Sequence, residues 1–447
     1  MSDFPLPPSP LPALGPLLSG NLWQQWADEG KVFPLERFRD AIGYLRFKPG
    51  VSCRLTVIAD PAGKGENPPD GFLLHLYPDL ERARTAYEKL IRREPIIGEN
   101  GFAPFLNSDH PVVVSPFPND PELPHLRHVY DPVRFRRALS EVRPTKYPAG
   151  SWRLQKRHMR TRLLAYKPGR RAVFRVRVGM RNIQQDEKVR FYGHIKVCTP
   201  MSAGPTYEKQ LRIGTACPAN AGWRLPTPHG FVTERSLICT EWIKGKQLEN
   251  ILKTPGERTT NLLKQVGQSL AEFHGLAADL APLLSYDEKV QSLTSLAEDL
   301  KALLPAQHTR LDQMGGLLSS RISQENRPAT AIIHGDFHPR QVLVDEEAGK
   351  VIIVDLDRAS LGDPILDIGS FLADLLENDQ PVAYRHAFLQ GYARVRPLSS
   401  GAGLTTATAA ALFRRVSFPF RHLHEEWPEE SARILDKVEQ LLGEESQ

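Results

Sequence analysis

The chain has 447 residues, a formal net charge of +5, 41% hydrophobic and 24% charged residues, a composition that suits two or three globular domains and excludes a disordered or low-complexity protein. No apolar run reaches the roughly 20 residues needed to span a bilayer. The four cysteines, Cys53, Cys198, Cys217 and Cys239, form no CxxC pair, which argues against a zinc cluster or disulfide framework and for free thiols in a cytoplasmic protein.

Residues 1–41 are Pro-rich and do not read as a signal peptide. They are expected to form a flexible or surface-draped arm with one short helix near Leu22–Asp28. From 42 to 178, alternating apolar and polar residues between Pro/Gly turns predict strands. From about 246 the pattern turns helical, with predicted helices over 258–276, 286–304, 370–376, 382–392 and 405–416. A strand-rich part followed by a helix-rich part predicts an α+β chain with separate lobes. Basic residues crowd between Arg153 and Arg190, as a solvated face or a phosphate-facing surface.

An internal repeat runs through the strand-rich part. Phe47-Lys48-Pro49-Gly50 and Tyr166-Lys167-Pro168-Gly169 each precede an alternating run. Gly71–Pro78 resembles Gly193–Pro200, and Tyr87-Glu88-Lys89 repeats as Tyr207-Glu208-Lys209. The offsets stay within three residues of one another, which predicts two related β-modules. The first is then a degenerate copy, with Leu74 where the second has Lys196. The expected boundaries are an arm at 1–41, a cap module at 42–150, a second module at 151–245 and a helical part at 246–447.

The chemistry concentrates in His334-Gly335-Asp336-Phe337-His338-Pro339-Arg340-Gln341, followed fourteen residues after Gln341 by Asp355. The apolar run Ala331-Ile332-Ile333 makes Asp336 a carboxylate in a loop at a strand end, where it can accept a proton from a hydroxyl. Gln341 opens the next strand and offers a hard, neutral oxygen suited to Mg²⁺. A hairpin turn over 345–350, with Gly349 at positive φ, brings Gln341 beside Asp355. Asp357 shares the Asp355 face if the strand continues. Two carboxylates and an amide so arranged are what phosphoryl transfer requires. Downstream, Asp363-Pro364 suits a helix start, and Asp367 is placed to accept backbone N–H groups of the catalytic loop.

His334–Gln341 with Val354-Asp355-Leu356-Asp357, Gly362-Asp363-Pro364 and Asp367 resembles the aminoglycoside phosphotransferase and choline kinase-like superfamily. The Gln variant of the motif also looks like the maltokinase branch, whose members carry an extra N-terminal cap. The resemblance covers about 160–425. It implies a bilobal protein-kinase-like fold, with a β-rich N-lobe, a helical C-lobe, a catalytic loop at 334–341 and a metal-binding hairpin at 341–357. It also implies ATP or GTP and Mg²⁺ as cofactors and a small-molecule hydroxyl acceptor. No nucleic acid, membrane or obligate protein partner is expected. Within that frame Asp336 is the base, and Gln341, Asp355 and Asp357 hold the metal. Lys196, in an apolar strand, matches the phosphate-gripping lysine, with Glu208 as its ion-pair partner. Arg170 and Arg171 lie in the nucleotide-covering turn, and Glu241, Trp242 and Ile243 form the hinge. The family's acceptor specificity lies in the C-terminal helices, here with Arg414, Arg415, Arg421, His422, His424, Glu425 and Glu426. The rival reading is a nucleotide-binding pseudokinase or regulatory partner, motivated by Gln341 and the Gly-poor turn.

Overall fold

The computed structural model describes residues 4–8, 11–59, 70–97, 101–281, 286–325, 330–345, 347–398 and 401–444. Glu346, within the expected hairpin turn, lies outside the described residues, as do residues 1–3, 9 and 10 of the expected arm. The fold is α+β, and the chain divides into two units. One comprises residues 1–207, 228–242 and 420–427; the other comprises 208–227, 243–419 and 428–447.

The first unit opens with helices α1 (Leu14–Leu18) and α2 (Asn21–Asp28). Strands β1 (Ile42–Lys48), β2 (Ser52–Ile58) and β3 (Gly71–Leu76) lead to α3 (Leu80–Ile91), then β4 (Phe105–Asn107), β5 (Val112–Pro116) and α4 (Pro132–Glu141). Strands β6 (Trp152–Lys167), β7 (Arg171–Asn182) and β8 (Lys188–Cys198) lead to α5 (Pro200–Ala216), which ends in the second unit; β10 (Pro228–Val232) and β11 (Leu237–Glu241) complete the set. The strands form two five-stranded antiparallel sheets with one connectivity, β1-β2-β3-β5-β4 and β6-β7-β8-β11-β10. In each, a helix follows the third strand. The turns at Gly50 and Gly169 adopt the left-handed conformation that glycine favours, at φ +67° and +68°. In β7 the arginines alternate with the buried Ala172, Phe174, Val176 and Val178, so one strand carries both the core and part of the basic region.

The two sheets also pack their helices alike. Ala83 and Tyr87 of α3 meet Tyr77, Leu106 and Val113. Ala203 and Tyr207 of α5 meet Cys198, Phe231 and Ile238. The ladder corrects one detail. Lys196 lies opposite Val173 and Ile238, and the residue so placed in the first sheet is His75, opposite Arg54 and Val113. Leu74 is fully buried on the other face. A one-residue slip exchanges faces in a strand.

The Pro-rich stretch is not a draped arm. Leu11, Leu14, Leu17, Leu22, Trp23 and Trp26 are buried. Trp23 meets Phe33, Phe38 and Phe72 edge-on or tilted at 5.2–5.6 Å, and Trp26 meets Phe105 at 5.3 Å. Aromatic burial outweighs the conformational bias of the prolines.

The second unit holds α6 (Leu248–Leu252), α7 (Glu257–His274), α8 (Tyr286–Leu303), α9 (His308–Glu325), α10 (Ile365–Glu377), α11 (Val382–Ala393) and α12 (Gly401–Phe413). The chain ends through α13 (Phe418–Arg421) and α14 (Trp427–Glu444). A four-stranded sheet joins β12 (Lys246–Gln247), β14 (Val342–Asp345), β15 (Lys350–Ile353) and β9 (Trp223–Arg224). Strands β13 (Ala331–Ile333) and β16 (Ser360–Gly362) pair separately. Helices α9 and α14 have no counterpart in the sequence expectations, and α10 starts five residues before the expected Ser370. The core gathers Phe273, Ile332, Phe337, Val342, Ile353, Phe371 and Phe388. Among the described residues, no helix is long and apolar enough to cross a membrane.

Candidate active site

Asp336 leaves strand β13 in a loop whose backbone is pinned from below. Gly335 sits at φ +76°, and Phe337 is fully buried and stacks on Phe371 at 5.5 Å. The buried Asp367 on α10 accepts the His334 N–H at 2.5 Å and the Gly335 N–H at 2.8 Å. That is the arrangement expected of Asp367. His274 at the end of α7 completes it: Nε2 donates to Asp367 (3.1 Å) and Nδ1 hydrogen-bonds with the Tyr392 hydroxyl (2.9 Å). The His334 imidazole donates through Nε2 to the Val354 carbonyl at 2.8 Å, tying the loop to the strand that leads into Asp355. Asp363 accepts the Ile365 N–H at 3.0 Å and starts α10.

Gln341 ends a short 3-10 turn, Pro339–Gln341, just before β14. Its N–H donates to the His338 carbonyl (2.8 Å), and its carbonyl accepts from the Val354 N–H (3.0 Å). With Val342 opposite Ile353, the hairpin sets Gln341 against Val354 and makes Asp355 the next residue. The turn contains Gly349 at φ +64°, as expected. Asp355 itself is left-handed, φ +64° and ψ +59°, a strained conformation for a side chain with a Cβ. Asp357 lies in the following 3-10 turn, Leu356–Arg358. The hairpin thus brings the backbones of Gln341 and Asp355 to one end, with Asp357 two residues on; among the described residues no three His, Cys, Asp or Glu side chains cluster as a metal site, although carboxylate and amide oxygens are the ligand type Mg²⁺ takes.

Four further residues lie around the Asp336 loop and the hairpin. Arg358 places Nη1 3.7 Å from Asp336 Oδ1. Lys209 on α5 donates to the Asp357 carbonyl at 2.9 Å, and burial pulls its ammonium down against the pull of Asp357. Burial pushes the His338 imidazole down to about 4, while Asp336 and Asp374 pull it the other way. His274 stands behind Asp367. The sequence carried signals for two of them: Lys209 is part of the repeated Tyr-Glu-Lys, and His274 falls on the apolar stripe of α7 with Leu263, Val266, Leu270 and Phe273. Glu208, the expected ion-pair partner, directly precedes Lys209 in the second unit.

In the first unit, Lys196 is 5% exposed in mid-β8, a depth at which an ammonium needs compensation. Arg170 and Arg171 follow Gly169 at the β6–β7 turn. Glu241 ends β11, and Trp242 lies under the Arg175 guanidinium at 5.6 Å. The boundary between units falls between Trp242 and Ile243. The expected acceptor residues divide: Arg414 and Arg415 are in the second unit, whereas Arg421, His422, His424, Glu425 and Glu426 are in the first. Arg415 does not offer itself to a ligand. It is 6% exposed and bound to Asp374 at 2.8 Å and Glu377 at 2.5 Å, an ion triad between the turn after α12 and α10. Burial raises the Glu377 carboxyl, and Arg415 opposes that rise.

Residues 216–403 match the family model described as the phosphotransferase enzyme family, APH. No curated protein matches the chain. Among solved structures, similarity is found to ethanolamine kinase from Plasmodium vivax, at 10% identity, covering 80% of this chain and 94% of that one with a TM-score of 0.47. Choline kinase from Cryptosporidium parvum aligns at 11% identity over 69% and 95% of the two chains, TM-score 0.44. The GDP and kanamycin complex of APH(2'')-IIia aligns at 16% identity over 63% and 93%, TM-score 0.43. These likenesses are too distant to assign a ligand. The family match spans the pinned loop and the oxygen-bearing hairpin. Residues 216–403 of the chain are thus similar to the phosphotransferase enzyme family.

Proposed function

We propose that the chain transfers the γ-phosphate of ATP or GTP to a hydroxyl of a sugar or similar small metabolite. The observation that carries this reading is the convergence, within one unit, of the Asp336 loop, Gln341 and the left-handed Asp355, with the loop fixed by Asp367. Asp336 accepts the proton of the acceptor hydroxyl as its oxygen bonds to the γ-phosphorus and the β–γ bridging oxygen leaves. Arg358 steadies the Asp336 carboxylate from 3.7 Å. Gln341, Asp355 and Asp357 are the residues to hold Mg²⁺, which supplies charge neutralisation for the phosphates when bound. Lys196 is the candidate grip on the nucleotide phosphates, and Glu208 a candidate supporting charge. Arg170 and Arg171 add charge at the covering turn. Backbone groups at Glu241, Trp242 and Ile243 are assigned to the base. The cap module, with its repeated connectivity, is read as a degenerate copy of the module at 151–245.

The test is Asp336→Asn. ADP release is measured over a panel of sugars, amino alcohols and antibiotics, with nucleotide binding measured in parallel. Turnover should fall at least ~100-fold, in the range of general-base effects, while nucleotide binding persists. Near-normal turnover by that variant with its best acceptor would refute the base assignment. Nucleotide binding by the wild-type protein without turnover on any acceptor would favour the pseudokinase.

A further inference from the structure

The β6–β7 turn, Lys167–Arg171, has one glycine, so it cannot cradle phosphate with a run of backbone N–H groups as a Gly-rich loop does. The one glycine N–H it has is already engaged. Gly169 donates to Asp120 Oδ2 at 2.8 Å, and the Tyr166 hydroxyl donates to the same oxygen at 2.8 Å. The other carboxylate oxygen accepts the Glu122 N–H at 2.9 Å. Asp120 is 5% exposed and belongs to the cap module, between β5 and α4. Arg54, also of the cap module, lies so close to Gly169 that a Cβ there would collide with its guanidinium. Arg54 is itself held by the His75 ring at 3.3 Å. The turn is therefore grasped by groups from the preceding module on its backbone and on its flanking tyrosine.

We infer that Asp120 is a positioning residue for nucleotide binding, fixing the β6–β7 turn before the nucleotide arrives. This rests on the proposed reading of that turn as the nucleotide cover. A glycine-rich loop loses conformational freedom when it closes on phosphate; a turn already fixed by a buried carboxylate loses little. The cap module then does structurally what missing glycines cannot do chemically, and it leaves Arg170 and Arg171 to supply charge.

The experiment compares Asp120→Asn and Tyr166→Phe with wild type in the full chain. Asparagine keeps the shape of Asp120 but sets an N–H₂ among three donors. Asp120→Asn should raise the nucleotide KM about fivefold to tenfold, with kcat and the acceptor KM within twofold of wild type, and should speed hydrogen exchange at the Gly169 amide. Tyr166→Phe should move the same quantities less and in the same direction. Asp131→Asn, which weakens the α4 cap in the same module, controls for general softening and should leave the nucleotide KM unchanged. An unchanged or lowered nucleotide KM in Asp120→Asn, or an equal rise in Asp131→Asn, overturns the proposal. Lys196→Met separates the two levels of failure. If Lys196→Met also leaves nucleotide binding intact, the reading of this module as the nucleotide lobe has failed; if it abolishes binding while Asp120→Asn does nothing, only the role of Asp120 has.

Discussion

Asp355 and Gly335 occupy the left-handed region for different reasons. Gly335, at φ +76°, faces the Arg358 carbonyl, which would lie 2.5 Å from an added Cβ. No side chain fits there without moving the Asp336 loop or the turn that bears Arg358. Asp355, at φ +64°, has a Cβ and accepts the strain, a cost that residues hold where the surrounding structure fixes them. Gly335→Ala should destabilise by about 1–3 kcal/mol, measured as a drop in Tm of several degrees. It should also cut kcat by more than about tenfold, because Asp336 follows directly and orientation is what the loop supplies. A variant that lost stability but kept kcat would show that the loop position does not limit turnover. At this scale the sequence was most informative. The adjacency of Gln341 and Asp355 was legible from spacing because a hairpin fixes which residues become neighbours. Arg358 was not, because its side chain reaches Asp336 by a tertiary contact that no periodicity encodes.

Helices α7 and α11 cross with their backbones in contact. A Cβ on Gly267 would strike the Phe388 carbonyl, and one on Gly391 would strike the Lys264 carbonyl. Alanine normally improves a helix interior by up to about 1 kcal/mol. Here overpacking outweighs that gain, since forcing a methyl into a closed contact costs about 1–3 kcal/mol. Gly391→Ala should therefore lower Tm. It should lower kcat as well, because α7 carries His274 and α11 carries Tyr392, the two residues behind Asp367. Gly349→Ala is the contrast: its φ is +64° but the space around it is open, so stability should drop by about 1 kcal/mol with kcat unchanged. If both variants lose activity equally, the crossing has no special hold on the site. The same kind of contact explains an element the sequence hid. Gly315 and Gly316 interrupt the pattern of α9 and argue against a helix there, yet an added Cβ on Gly315 would come within 2.9 Å of Ala297 Cβ on α8. Glycine serves close packing there, and tertiary contact overrides propensity. In the N-terminal stretch the prolines pointed to an arm, while Trp23 and Trp26 supplied the burial that decided otherwise.

Across the molecule, the division into a strand-rich and a helix-rich part was readable from pattern, and so was the likeness of the two sheets. The ladder position of Lys196 was not, because offsets that drift by a residue cannot say which face a strand residue takes. His75 stands at that position in the first sheet and His338 in the loop after β13, and both are kept from protonating. Burial is the first cause in each, pushing His75 down to about 3 with help from Arg54, and His338 down to about 4. The unfolded chain binds protons at both from about pH 6.5 downward. The folded chain does not bind them until the pH approaches those lowered values. Stability is thus fully present above pH 6.5 and lost as the pH falls toward 4, by up to about 1.4 kcal/mol per pH unit for each histidine. Thermal denaturation from pH 7.5 to 4.5 should show a flat Tm down to about 6.5 and a steady decline below it. His75→Gln and His338→Gln, which cannot take up a proton, should each make the decline shallower even where they lower Tm overall. A Tm that falls with the same slope in both variants as in wild type would mean that other groups, not these two rings, carry the acid sensitivity.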